Sequence, residues 1–206
     1  MKVLLINGSP KANGCTATAL AEIAAALNAC GIDTETVQVG AAPVGGCIGC
    51  GQCRASGKCF MDDVVNDIAA KMAQADGYVL GSPVHYAGIS GNMKAALDRL
   101  SFSAGSTMKY KPGAVCVSAR RAGTTAAIEQ LTKYVQFFHG PLVNASYWPM
   151  VHGSTPDQVR QDEEGLAIMR ELGTNMAWLL KCIELGKQNG VPVPQNPPRA
   201  FTNFIR

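Results

Sequence analysis

Met1–Thr16 reads MKVLLINGSPKANGCT, and the fold is decided there. Val3-Leu4-Leu5-Ile6 is an aliphatic run too short for a core helix, and Asn7-Gly8-Ser9-Pro10 behind it is a strong turn signal. Ala17–Ala29 then has helical character, capped near Thr16 and ended by Gly31. Strand, small-residue loop and helix N-terminus make an anion site. The first-turn N–H groups lack partners within the helix, and the helix dipole favours negative charge beside them. Ser9, Lys11, Asn13 and Thr16 add hydroxyl, ammonium and amide groups, so the loop reads as a phosphate cradle. A βα turn with polar caps and no ligand is the plainer alternative. The GxxxxGK[ST] and GxGxxG patterns are both missing, which favours a terminal monophosphate over a pyrophosphate or triphosphate.

Outward from this loop, strands are expected at Asp33–Val39 (an edge, given its charged residues), Tyr78–Leu80, Ala114–Val117 and Leu142–Tyr147. Helices are expected from Asp62-Asp63 to about Ala75, over Ile89–Leu100, from Thr124 or Thr125 to about Phe138, and over Asp157–Leu185. Gly165 and Gly173 read as bends or close-packing points in the last of these. Five strands alternating with five helical segments specify an open three-layer α/β domain with a parallel sheet. Such sheets bind ligands outside the carboxyl ends of their strands, which selects the loops Ser9–Thr16, Pro83–Gly88 and Ser118–Gly123. Residues 1–190 read as this domain, and 191–206, with its Val-Pro-Val-Pro run, as an extended arm.

A length of 206 residues suits one domain with a full core. Hydrophobic content of 47% with 16% charged residues excludes a largely disordered chain, and a net charge of +3 is too small and scattered for a nucleic-acid surface. With no long apolar run and no signal-like start, neither a membrane span nor export is expected, and the reading is cytoplasmic. Eight cysteines in that setting are thiols or metal ligands rather than a disulfide framework.

Cys47, Cys50, Cys53 and Cys59 follow the spacing C-x2-C-x2-C-x5-C in a loop with glycines at 45, 46, 49, 51 and 57. Tight spacing lets thiolates converge, and the glycines permit the turns this needs. Four thiolates suit a [4Fe–4S] cluster; tetrahedral zinc and plain reduced thiols are the other chemical readings. Cys30, Cys116 and Cys182 read as packing residues, and Asp98-Arg99 as a structural ion pair.

GSPKANGCT at Gly8–Thr16, GSPVHYAGISGNMKAALDRL at Gly81–Leu100 and SARRAG at Ser118–Gly123 resemble the flavodoxin-like NAD(P)H-dependent FMN reductase superfamily, across essentially the whole chain. The resemblance implies a five-stranded parallel sheet in the order 2-1-3-4-5, with helices on both faces, and non-covalent FMN. Carried over, Ser9, Lys11, Asn13, Cys15, Thr16 and Ala17 surround the phosphate. Pro83, Val84, His85, Tyr86 and Gly88 frame the ring together with Ser118, Arg121, Ala122 and Gly123. Arg120 or Arg121 would meet flavin carbonyls or a nicotinamide phosphate. Lys11 stands where arginine is common, making a point-charge contact of a bidentate one, and Cys15 replaces a frequent asparagine. The cysteine series resembles that of the iron–sulfur flavoproteins, a branch of the same superfamily.

The function implied is an FMN-dependent oxidoreductase. It passes electrons from NAD(P)H or a reduced carrier to a quinone-like, other small-molecule or protein acceptor, with the cluster as a one-electron outlet. The chemistry belongs to the flavin, so no dedicated catalytic side chain is expected. A flavodoxin-like electron carrier and a cysteine-based redox or metal sensor are the competing readings. The arm ends in Phe201, Phe204 and Ile205, apolar groups that suggest packing on a second subunit, hence at least a homodimer.

Overall fold

A computed structural model describes residues 1–197 and 202 of the chain. Among these, β1 (Lys2–Asn7) leads into α1 (Cys15–Ala29), followed by the edge strand β2 (Asp33–Gln38). A long loop carries the one-turn helix α2 (Cys53–Ser56) and leads to α3 (Val64–Gln74). Next come β3 (Gly77–His85), the short β4 (Gly88–Ile89) and α4 (Gly91–Ala104). The chain continues through β5 (Gly113–Ala119), α5 (Thr124–Phe137), β6 (Met150–His152), α6 (Pro156–Arg160) and α7 (Glu163–Gln188). The sheet runs β2-β1-β3-β5-β6, all parallel, while β4 folds back antiparallel on the end of β3. Along the main path this is the expected 2-1-3-4-5 order.

The first strand shows why three layers form. Side chains alternate across a strand, so Leu4 and Ile6 face one side and Val3 and Leu5 the other. Leu4 and Ile6 join a core made with Val65 and Ile68 of α3, Met93 and Leu97 of α4, and Leu131 of α5. Val3 and Leu5 join a second core with Leu20 and Ile23 of α1 and Leu172 and Met176 of α7. All four strand residues are at most 1% exposed, each worth about 1.5–3 kcal/mol of burial. Gly173 is a close-packing point: a Cβ there would lie 2.7 Å from the Ile23 carbonyl oxygen of α1. At the open edge, Glu35 of β2 pairs with both Lys2 and Lys71, charges that blunt an edge strand.

Four expectations are corrected. The fifth strand is not Leu142–Tyr147 but Met150–His152; Leu142 makes only a single bridge, to Gly113. Side chains of α7 take the polar groups of the expected stretch instead. Glu171 accepts from Ser146 N at 3.0 Å and Ser146 Oγ at 2.6 Å, and Asn175 donates to the Asn144 carbonyl at 2.9 Å. The last helical region is broken at Gln161-Asp162, where Asp162 Oδ1 accepts from Gly165 N at 3.0 Å and caps α7. Ile89 belongs to β4, and α4 starts after Ser90, whose Oγ accepts from Met93 N at 3.2 Å. Cys182 is exposed rather than packed, while Cys116 is fully buried, its thiol pushed up to about 12 by desolvation.

Of the arm, residues 191–197 run exposed, held where Tyr110 Oη donates to the Pro194 carbonyl at 3.2 Å. Phe201, Phe204 and Ile205 lie outside the described residues. No described helix is long and apolar enough to cross a membrane.

Candidate functional site

The loop after β1 and the last residues of β3 and β5 meet at the carboxyl end of the sheet around a cavity of about 300 Å³. Helix α1 opens it. Its N-cap is Gly14, with no side-chain cap and no acidic residue in the first turn, so the leading N–H groups stay available to an anion. This corrects the expected cap at Thr16. Its hydroxyl instead lies 2.8 Å from Ser118 Oγ, both side chains buried, and joins the first loop to the third.

The first loop is braced from below. Asn7 Oδ1 accepts from Ser9 N at 3.0 Å, and Ser9 Oγ accepts from Lys11 N at 3.1 Å. Gln38 of β2 donates to the Ser9 carbonyl. Ser90 Oγ donates to the Gly8 carbonyl at 2.6 Å, and Ser90 N donates to Ser82 Oγ at 3.0 Å, linking this loop to the end of β3. Lys11 is exposed at the rim and free to reach an anion.

Of the residues expected at the flavin, Ser9, Lys11, Cys15, Thr16, Pro83, Val84, His85 and Ser118 line the cavity, with Arg120 beside them. Asn13, Ala17, Tyr86, Gly88, Arg121, Ala122 and Gly123 do not line it. Tyr86 stands fully exposed at the hairpin tip, where it and Ala87 hold left-handed φ values of 49° and 59°. Gly123 presses on that tip at φ +94°, and a Cβ there would lie 2.7 Å from Ala87 Cα. Gly123 therefore shapes the wall from behind. Two lining residues, Gly153 and Ser154, were not anticipated. They follow β6, the strand whose position the sequence misplaced, and Gly153 O accepts from Cys15 Sγ at 3.5 Å.

The cysteine loop forms a second cavity, of about 200 Å³, and the two share no lining residue. Cys47, Cys50, Cys53 and Cys59 all line it as free thiols, with Arg54, Phe60, Met61, Arg99 and Phe102 completing the wall. Gly49, Gly51 and Gly57 hold φ of 69°, 74° and 67°, left-handed turns that suit glycine. As the loop stands, no three His, Cys, Asp or Glu side chains among the described residues are gathered tightly enough to hold a metal ion. Four thiols on one small cavity are nonetheless the donor set of an iron–sulfur or zinc site.

Helices α3 and α4 hold this loop. Asn92 donates to the Gly40 and Ala42 carbonyls at 3.1 and 2.9 Å. Asn66 donates to the Cys59 and Met61 carbonyls at 3.0 and 3.2 Å, and its Oδ1 accepts from Cys59 N at 3.1 Å. Arg99, only 1% exposed, does not pair with its neighbour Asp98, which corrects the expected ion pair. Asp98 instead binds Lys94, and Tyr134 donates to it at 2.5 Å. Arg99 turns inward to Asp63, Cys59 and the loop carbonyls. Burial pulls the Asp63 carboxyl up, but donation from Arg99 and from Val65 N outweighs it and holds the group below the usual carboxylate range.

A parallel sheet in this order, with helices on both faces, defines a flavodoxin-like fold. The chain belongs to the NADPH-dependent FMN reductase family, whose model matches residues 1–155, and within it to the iron–sulfur flavoprotein branch. It is 35% identical over 193 residues to an iron–sulfur flavoprotein of Methanocaldococcus jannaschii, covering 89% of this chain and 100% of that one. It is 28% identical over 192 residues to an iron–sulfur flavoprotein of Methanosarcina thermophila, covering 89% and 97%. Among solved structures, an NADH:FMN oxidoreductase superposes with TM-score 0.64 at 16% identity, over 86% of this chain and 89% of its own. A flavodoxin from the domain Archaea gives 0.60 at 14% identity, over 88% and 99%. The protein is a flavin-dependent oxidoreductase.

Proposed function

We propose that the cavity between the β1, β3 and β5 loops binds FMN, and that Cys47, Cys50, Cys53 and Cys59 hold a [4Fe–4S] cluster. The uncapped, acid-free N-terminus of α1, opening into a cavity lined by Ser9, Lys11 and Thr16, carries the first half of this reading. The fit follows from charge: unpaired N–H groups and one ammonium suit a single terminal phosphate. The four-thiol donor set supports the second half, with closure of the loop on its iron assigned to the exposed Cys47 and Cys50.

When bound, the flavin supplies hydride and single-electron chemistry and the cluster supplies one-electron exchange. The chain's own residues bind and orient. The α1 N–H groups and Lys11 would hold the flavin's phosphate, and Pro83–His85, Ser118 and Arg120, which line the same cavity, would bind the rest of it. Electrons come from NAD(P)H or a reduced carrier and leave to a quinone-like, other small-molecule or protein acceptor. At least a homodimer is the expected assembly, which light scattering tests. Residues 1–190 act as one domain and 191–206 as an arm.

The deciding experiment is a visible spectrum with iron and sulfide assays on protein purified without oxygen. About one FMN with roughly four iron and four sulfide per chain is the expected result. Flavin without iron removes the cluster and leaves an FMN reductase, and absence of both overturns the proposal.

A further inference from the structure

Arg99 is a fully buried guanidinium whose every partner beyond its own helix, among the described residues, lies in the segment 45–63. Its Nη1 donates to the Gly45 carbonyl at 3.3 Å, where the cysteine loop begins, and its Nη2 to the Met61 carbonyl at 3.0 Å, where it ends. The same two nitrogens grip Asp63 at 2.6 and 2.9 Å, a bidentate, charge-assisted pair. That leaves Nε, which donates to Cys59 Sγ at 3.2 Å. One side chain on α4 thus closes the loop at its base and touches one of its four thiols.

A planar five-donor group is needed for this. Lysine can reach Asp63 but cannot donate to a carboxylate, two carbonyls and a thiol in fixed directions at once. Burying such a cation is costly unless it is fully paired, and these contacts pair it. An ion pair that merely held α4 to α3 would need only Asp63, so the contacts to Gly45, Met61 and Cys59 need a separate reason.

We propose that Arg99 is a positioning residue for the metal centre. It holds Cys59 and both ends of the cysteine loop ready for a [4Fe–4S] cluster, and its N–H···S bond raises that cluster's reduction potential. The inference rests on the reading of the four cysteines as cluster ligands. Hydrogen bonds to a ligand sulfur favour the more electron-rich, reduced state, and partners behind the ligands commonly govern how tightly a metal is held.

The test compares wild type with Arg99→Lys and Asp63→Asn after anaerobic loading with iron and sulfide, with far-UV circular dichroism to verify folding. Three quantities are read: metal retention against a chelator, the midpoint potential by EPR-monitored titration, and hydrogen exchange of segment 45–63 in the iron-free protein. In Arg99→Lys, retention weakens by about 10- to 100-fold, the potential moves to more negative values, and segment 45–63 exchanges faster than the sheet. Asp63→Asn, which keeps the guanidinium, speeds exchange and shifts the potential less. If wild type loads and Arg99→Lys matches it in retention, potential and exchange, the proposal is overturned and the cluster reading stands. If wild type holds no iron, both fall together. If Arg99→Lys fails to fold, unchanged exchange and retention in Asp63→Asn overturn the proposal in its place.

Discussion

The hydroxyls of Thr16 and Ser118, 102 residues apart in sequence, lie 2.8 Å apart in the buried wall of the cavity at the carboxyl end of the sheet. One belongs to the first turn of α1 and the other to the end of β5, so the bond fixes how far the helix N-terminus sits from the end of that strand across the cavity. Thr16→Val keeps the shape and strands the Ser118 hydroxyl. The expected loss is about 1–3 kcal/mol of unfolding free energy. FMN affinity falls on the order of tenfold, equivalent to about 1.4 kcal/mol. Thr16→Ser restores both. Urea denaturation and quenching of FMN fluorescence measure the two effects, and a Thr16→Val chain that binds FMN normally would show that the bond does not shape the site.

Gly123 sits behind the hairpin that carries Tyr86, at a φ that side chains other than glycine resist. Gly123→Ala adds a methyl 2.7 Å from Ala87 Cα. Because backbone rather than a flexible side chain stands there, the loop or the hairpin must shift. The expected cost is about 1–3 kcal/mol, combining strain at the left-handed φ with displacement of the tip. FMN affinity weakens as well, although Gly123 does not line the cavity. A thermal melt together with an FMN titration decides, and stability equal to wild type would count against the packing role.

The fold was legible where burial on both faces writes itself into composition. Val3-Leu4-Leu5-Ile6 is too short for a core helix and apolar on both faces, and the turn and helix behind it place the loop that opens the cavity. Leu142–Tyr147 has a pattern that suits a strand, but its polar groups are claimed by Glu171 and Asn175, 25 and 31 positions later in the chain. The true strand, Met150–His152, is three residues long, too short for any periodicity. Asp162-Glu163-Glu164 did carry a helix-start signal, a capping residue followed by an acidic first turn, and reading it would have divided the last helix correctly. Arg99 was hidden for another reason. Its partners lie 36 to 54 positions away, and only the fold brings them to it.

Tyr78 supplies a prediction in the opposite direction. Its ring is buried in the core beneath β3, and its hydroxyl has no hydrogen-bond partner among the described residues. Desolvation alone drives its pKa far above the ordinary value. Tyr78→Phe removes a stranded polar atom and keeps the ring. The expected outcome is unchanged or higher stability, by about 1 kcal/mol. A drop of that size in chemical denaturation would mean that the hydroxyl is satisfied in solution.

The Arg99–Asp63 pair predicts how the protein responds to acid. Asp63 has its folded pKa depressed below the ordinary value of 3.8, so its stabilisation is fully present above that value. It is lost as pH falls through the folded pKa, because protonation removes the charge that Arg99 grips. Arg99 itself cannot follow by losing its proton, so once Asp63 is protonated it stays a buried cation that no carboxylate balances. The wild-type urea midpoint therefore declines as the pH falls below the ordinary carboxyl value of 3.8. Asp63→Asn sits lower by roughly 1.5–3 kcal/mol at pH 7, and the gap closes as the pH drops. Parallel pH profiles for the two chains, with the same gap at pH 3 as at pH 7, would show that the carboxylate charge contributes nothing to the latch.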